Sequence, residues 1–478
     1  MKIGRTTLSA TLALALVACG GGGGGSNAPP TQGGPTPTPT PTTAACAISE
    51  QIDFADRVLD EWYLFPNLLD NSANAASFSD VQSFLDARVA PARAQSFDKG
   101  FTFATSIQAE NDLINSGASA GFGIRLAYDT VNNRVFLLEA FENANGFAAG
   151  MDRGTELLAI GTSSANLQTI SSLMASGGPQ AVVNALGPSN AGVSRVIRFA
   201  QLGGNVIETT VTKTDFALDP ISDRYGTLIL DDGGKKVGYL NLRTFIVSDA
   251  ADQLRAAFGE FGREGVTELI LDLRYNGGGL VSVADTMGDL MGQGRVGQLW
   301  SETVLRASKS SENSSELFEN EVNAIQPTKI AVIGTRSTAS ASELVTNSMI
   351  PYVGNGMALI GSNTSGKPVG QFGFDLAACD LRVRAVTFQT LNADGNGEYF
   401  TGLASVMPNT CRADDDITKA FGDPTEDSIR VALDFLGGRT CAAPISGGAG
   451  QTAQSVGGRE VLQPTRPNAA QYEIPGLY

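Results

Sequence analysis

The chain has 478 residues and not one histidine. That absence removes every Ser-His-Asp and Cys-His catalytic arrangement, along with the commonest metal ligand. No Cys-x-x-Cys pair occurs among the five cysteines, so a structural zinc site is not expected either. Basic residues are scarce: 33 Lys and Arg stand against 49 Asp and Glu, a formal net charge of −16. So acidic a chain argues against nucleic acid or an anionic membrane surface as its primary partner. Past the opening residues, no apolar run is long enough to span a bilayer.

The opening itself carries an address. Lys2 and Arg5 precede an apolar run over 8–18 that is too short for a transmembrane helix. The run ends in Leu16-Val17-Ala18-Cys19, which resembles the bacterial lipoprotein cleavage box. Residues 1–18 are therefore expected to be a signal peptide and Cys19 the lipidated residue. Gly20 in place of Asp favours the outer membrane, with the body facing the periplasm or exterior. Residues 19–45 are a glycine run followed by PTPTPTPT, which cannot bury enough apolar surface to fold and reads as a tether.

Four further cysteines, Cys46, Cys379, Cys411 and Cys441, suggest two disulfides in an exported protein. Cys379 and Cys411 flank one predicted strand-and-turn unit, so the expected pairs are Cys379–Cys411 and Cys46–Cys441.

Chemistry concentrates in 328–374, TKIAVIGTRSTASASELVTNSMIPYVGNGMALIGSNTSGKPVGQFGF. The apolar stretch 330–333 is short and branched, which predicts a buried strand. A Ser/Thr/Ala turn follows, then a helix over 343–349, a second strand over 357–360, and a Gly/Ser/Asn loop carrying Lys367. A serine at a strand-to-helix turn exposes its hydroxyl beside helix N-terminal N–H groups, which is where a nucleophile belongs. With no histidine available, its proton must go to another base, and a neutral lysine is the known alternative. A rival pattern is G-x-x-x-x-G-K over 361–367, the phosphate-cradling loop, but Pro368 stands where Ser or Thr would hold magnesium, and a strand follows instead of a helix.

STASASEL followed by GSNTSGKPVGQ resembles the C-terminal-processing (tail-specific) serine peptidases. The resemblance implies Ser340, directly before Ala-Ser-Glu, as nucleophile, Lys367 as general base and Gln371 as the residue orienting it. LDLRYNGGG, ending at Gly279, resembles the family's LDLRxNxGG motif. It implies an oxyanion hole made by the N–H groups of Gly278 and Ala341; the family commonly has proline where Gly277 stands. No metal or cofactor is implied.

The expected fold is α/β and α+β and multidomain. Residues 46–116 are read as an N-terminal helical region and 117–215 as a β-rich unit. The order of strands and a short helix in that unit resembles a PDZ domain, with Gly121-Phe122-Gly123-Ile124 as its carboxylate-binding loop and a helix over 167–174 or 180–186 as the groove wall. Residues 216–441 are expected to form the α/β (crotonase-like) peptidase core, closed by a helix over 424–436 with Asp423 as N-cap. Residues 442–478 are expected to be a flexible C-terminal tail. The reading as a whole is a lipid-anchored envelope serine endopeptidase acting on polypeptides taken through their C-termini. The alternative is a catalytically inactive, PDZ-containing, peptide-binding envelope lipoprotein. Oligomeric state does not follow from the sequence.

Overall fold

The computed structural model describes residues 46–441, 443–445 and 458–478; the signal peptide, Cys19 and the tether lie outside the described residues. The central sheet has six strands, in the order Thr227–Asp232, Lys235–Asn241, Glu268–Asp272, Lys329–Gly334, Met357–Gly361 and Thr410–Arg412. The first two strands pair antiparallel, and every later pair is parallel. Parallel strands need crossover helices, and these bury both faces of the sheet. Alternation decides which residue meets which layer. Leu269, Leu271, Ile330, Val332 and Leu359 face the helices Ala250–Arg263, Val281–Leu290 and Ala341–Val353. Ile270, Ala331, Ile333, Ala358 and Ile360 face Asp427–Leu436 on the other side.

That last helix begins later than the sequence suggested. Asp423 instead accepts from the N–H and hydroxyl of Thr425 in a turn, and Glu426 is the N-cap, accepting from Ile429 N–H at 3.0 Å.

The region 46–116 is not purely helical. Its strand Phe103–Ser106 pairs antiparallel with Leu381–Leu391, and the helix Ile48–Trp62 packs Ile52, Ala55 and Leu59 against Val383, Ala385 and Val386 of that strand. This joins the N-terminal region to the sheet that follows Lys367. It also corrects the disulfide pairing: the bonds are Cys46–Cys379 and Cys411–Cys441, with Cα separations of 5.2 and 5.4 Å. Cys46 precedes the helix and Cys379 the strand on which it packs, whereas Cys411 belongs to the central sheet. Strand-and-turn proximity in sequence was the wrong guide because the two cysteines end on different sheets.

Residues 117–215 build a separate sheet, Ile124–Asp129, Arg134–Ala140, Glu156–Gly161, Ser194–Ala200 and Val206–Thr212, in that order. Two helical segments within Ile170–Leu186, broken at Gly178 (φ 62°), cover it; they correspond to the two expected wall segments, but the first begins at Ile170 because Gln168–Thr169 is a short strand. Strands Ala118–Gly121 and Thr214–Ala217 pair where the chain enters and leaves this unit.

The expectation for the closing residues also fails. In 458–478, Ile474, Leu477 and Tyr478 are buried among residues of the folded body. The apolar residues at 474, 477 and 478 are too few and too irregularly spaced to be read as a core segment from periodicity.

Candidate active site

The strand Lys329–Gly334 ends in a turn locked by Thr338, whose hydroxyl donates to Leu273 O at 2.8 Å and accepts from Thr335 N–H at 2.9 Å. Ala339 N–H then donates to Asn276 O at 3.1 Å. This drives Ser340 to φ 53°, ψ −117° before the helix Ala341–Val353 begins. A left-handed φ at a residue with a Cβ costs about 1–3 kcal/mol and is held only by its surroundings. Ser340 is partly exposed, while its neighbour Ser342 is buried and donates to Asn276 O at 3.1 Å. Of the two, Ser340 alone is not buried.

Gly278 packs directly on this turn: at φ 111°, a Cβ there would stand 2.6 Å from Ser340 Cβ and 3.0 Å from Ala341 N. The two N–H groups expected to face an oxyanion are thus neighbours. They differ in availability. Gly278 N–H donates to Asn276 Oδ1 at 2.9 Å, because Asn276, two residues earlier, folds its side chain back over the turn. Ala341 N–H opens the helix, where the first amides have no intrahelical partner.

Lys367 is brought to Ser340 by a residue that the sequence reading passed over. Glu343 is fully buried. One carboxylate oxygen, Oε2, accepts from both Ser340 N–H (3.2 Å) and Lys367 N–H (2.7 Å); the other accepts from Gly366 N–H (2.8 Å) and the Thr364 hydroxyl. One side chain therefore ties the serine turn to the lysine loop. The signal was present in Ser340-Ala-Ser-Glu343, since S-x-x-E is the pattern in which the glutamate reaches back to its cap residue. Burial pushes the Glu343 carboxyl up, opposed by these same hydrogen bonds. Lys99, equally unforeseen, donates to the carbonyls of Ser365 (2.6 Å), Gly366 (3.2 Å) and Phe400 (2.6 Å), fixing the loop just before Lys367.

Lys367 is only 8% exposed. Burial lowers its pKa from the usual lysine value, while the charges of Glu473, Asp98 and Glu343 pull it back up. Its Nζ stands 5.0 Å from the centre of the Phe101 ring. Gln371, expected to orient the lysine, donates through its amide to Phe101 O. The bond is to the backbone of Phe101, the residue whose ring Lys367 Nζ faces. Lys367, Gly277, Ala339, Phe101 and Tyr472 line one cleft of about 400 Å³.

In the unit 117–215, Phe122 is buried and Gly123 has φ 67°. Ile124 opens the edge strand of the sheet. The expected peptide-binding loop thus borders the outermost strand of the sheet and packs in one cluster with the segment Ile170–Leu186.

Residues 236–405 match the sequence profile of Peptidase family S41. Among curated proteins, the carboxyl-terminal-processing protease of Picosynechococcus sp. is 27% identical over 345 residues, covering 69% of this chain and 73% of that one. The protein of the same name from Synechocystis sp. is 26% identical over 337 residues, covering 69% and 71%. Among solved structures, a Bacteroides fragilis protein described as an S41 protease superposes with TM-score 0.62 at 22% identity, covering 80% of this chain and 97% of that one. This supports the mixed α/β, multidomain architecture. The match of 236–405 to peptidase family S41, together with these relatives, supports a serine peptidase.

Proposed function

We propose that the chain is an endopeptidase of the bacterial envelope, anchored through a lipid on Cys19, which takes polypeptides by their C-termini into the 117–215 unit and cleaves them with Ser340 and Lys367. The observation that carries the catalytic reading is the Glu343 carboxylate. It holds the backbones of serine and lysine on one oxygen, beside a strained serine that is not buried. The name borne by the Picosynechococcus and Synechocystis relatives supports C-terminal recognition, and the edge strand Ile124–Asp129 packed with the segment Ile170–Leu186 supports a groove for it in 117–215.

The reaction is acyl transfer. Neutral Lys367 Nζ takes the Ser340 Oγ proton as Oγ attacks the scissile carbonyl carbon. The oxyanion is held by Ala341 N–H, joined by Gly278 N–H once that group turns from Asn276. Lys367 returns the proton to the leaving amine, the C–N bond breaks, and an ester to Ser340 remains. Water, deprotonated by the same lysine, then attacks the ester carbonyl, the acyl C–Oγ bond breaks, and Lys367 returns the proton to Ser340 Oγ. Gln371 and Phe101 position Lys367. The test is incubation with an unstructured protein: the parent chain cleaves it, Ser340→Ala does not, and Ser337→Ala retains most of the rate. Normal cleavage by Ser340→Ala would refute the assignment.

A further inference from the structure

The edge strand Ile124–Asp129 is already occupied by residues of the same chain. Tyr478 N–H donates to Ile124 O at 2.9 Å, Ile124 N–H donates to Tyr478 O at 3.2 Å, and Leu126 N–H donates to Gly476 O at 2.8 Å. Arg125 and Leu477 form the antiparallel bridge between these bonds. Further along, Tyr128 and Glu460 exchange both backbone bonds, at 2.8 and 2.9 Å. This is strand addition, the way an extended peptide binds a sheet edge. The Tyr478 side chain is 4% exposed and packs in one cluster with Leu126, Ile170, Leu173 and Met174. It therefore lies between the edge strand and the wall helix, where a ligand's anchoring side chain would go.

The residues just before this strand lie over the catalytic cleft. A short helix, Ala469–Glu473, is capped by Asn468 and Gln471, and the Tyr472 ring stacks on Phe103 at 3.6 Å between centres. The Glu473 carbonyl presses against the glycine turn: a Cβ at Gly277 would stand 2.5 Å from that oxygen. Gly277 does not have a left-handed φ, so the close approach, not the backbone conformation, is what requires glycine there. Proline, common at this position in the family the sequence resembles, would put atoms where the carbonyl sits.

We infer that residues 458–478 are a built-in ligand that fills the peptide groove of 117–215 and covers the Ser340/Lys367 cleft, so that a polypeptide substrate must displace the segment before it is cleaved. This rests on the catalytic reading above. Two features of the site fit a restrained state. Burial lowers the Lys367 pKa most, and among the groups around it Glu473 opposes that lowering most, ahead of Asp98 and Glu343, while Arg384 adds to it. Gly278 N–H is meanwhile turned onto Asn276. Covalent attachment gives the segment a high effective concentration, so an incoming peptide must outcompete it.

Two variants of the full chain loosen the segment from opposite sides. Tyr478→Asp puts a carboxylate into the apolar groove, and Gly277→Ala adds a methyl group where the Glu473 carbonyl sits. In a Ser340→Ala background, binding of a fluorescein-labelled peptide of residues 474–478 (IPGLY) is read by anisotropy. Both variants should bind it at least tenfold more tightly than the parent. With Ser340 intact, Tyr478→Asp should cleave casein at least fivefold faster than the parent, and excess peptide 468–478 should reverse the gain. Equal affinity for IPGLY in the parent and both variants overturns the inference, whatever the casein rates. A tenfold binding gain with no cleavage by any form upholds the segment's occupancy and refutes the Ser340/Lys367 reading instead.

Discussion

Two assemblies of buried charge lie in the catalytic body, and they are built on opposite rules. In the first, Arg274 is completely enclosed, with Nε on Asp272 (2.9 Å), Nη1 on Asp415 and Glu426 (3.0 Å each) and Nη2 on Glu426 (3.0 Å). Arg153, from the 117–215 unit, meets the same Asp415 at 2.5 Å, and Tyr275 donates to its other oxygen. The two guanidinium groups outweigh burial and hold the Asp415 carboxyl far below the usual range. In the second, Lys367 is also buried, but its Nζ faces an aromatic ring, and burial wins over the carboxylates around it. Desolvation disfavours charge in both places. Forked donors and paired carboxylates cancel it in the first, which fixes how the two units meet. It is left uncancelled on the lysine in the second, which shifts that residue toward its neutral form.

The largest effects should come from removing the groups of the unbalanced assembly. Lys367→Ala and Lys367→Arg should each lower the rate on an unstructured protein by at least about a thousandfold, as catalytic knockouts commonly do. Arginine retains the charge but cannot release its proton. Melting temperatures should stay within a few degrees of the parent. A Lys367→Arg enzyme that turns over at near-parental rate at pH 7 would break the comparison at its centre.

Disturbing the balanced assembly should instead cost stability. Arg274→Ala strands Asp272, Asp415 and Glu426 without their shared cation, and breaking one partner of a buried network typically costs about 3–5 kcal/mol. Urea unfolding should show that loss, with activity falling only as the folded fraction falls. A chain that unfolds at the parental urea midpoint would show that the hub is not structural.

How far the sequence disclosed these two assemblies depends on the range of their contacts. The strand 330–333, the helix behind Ser340 and the lysine loop were all legible, because each is set by neighbours a few residues away. Glu343 was legible in principle through S-x-x-E, yet its second partner, Lys367 N–H, appears only once the loop folds back. Arg274, Asp415 and Glu426 come from three distant stretches, and no local pattern announces their meeting. The cysteine pairing failed for the same reason: it depends on the helix Ile48–Trp62 packing against the strand Leu381–Leu391. The segment 458–478 looked unstructured because its order is borrowed from the groove it fills.

Between the two extremes stands Glu343, a balanced carboxylate that serves the unbalanced lysine. Glu343→Gln keeps one acceptor oxygen but replaces the other with a donor, which faces the N–H groups that the carboxylate now receives. We expect a rate loss of about tenfold to a hundredfold, since a misplaced catalytic group costs that much. The rate should also rise with pH in the parent. The neutral form of Lys367 increases as pH climbs through its lowered pKa, and acid removes it. A flat profile across that range would assign the base elsewhere.

The smallest effect should come from Asp285, which sharpens the comparison because it is half-buried and forms no salt bridge among the described residues. Burial holds its carboxyl up to about 7, reinforced by Glu316 and Asp289 and only partly offset by the Trp300 indole N–H at 3.0 Å. Its folded pKa therefore lies above the value of about 3.9 expected for an unfolded aspartate. Below about pH 3, both states carry the proton and the residue costs little. As pH rises from about 4 to 7, the unfolded chain ionises freely while the folded chain resists, so stability is lost across that window and stays lost above it. Asp285→Asn removes the titration while leaving an amide oxygen for Trp300. We expect it to raise stability at pH 8 by about 1–2 kcal/mol, discounted for partial exposure, and to change little at pH 4. Urea midpoints of parent and variant at the two pH values decide the matter. A variant no more stable than the parent at pH 8 would mean that water or a rearranged neighbour already solvates this carboxylate, and that burial alone does not separate Lys367 from the Arg274 hub.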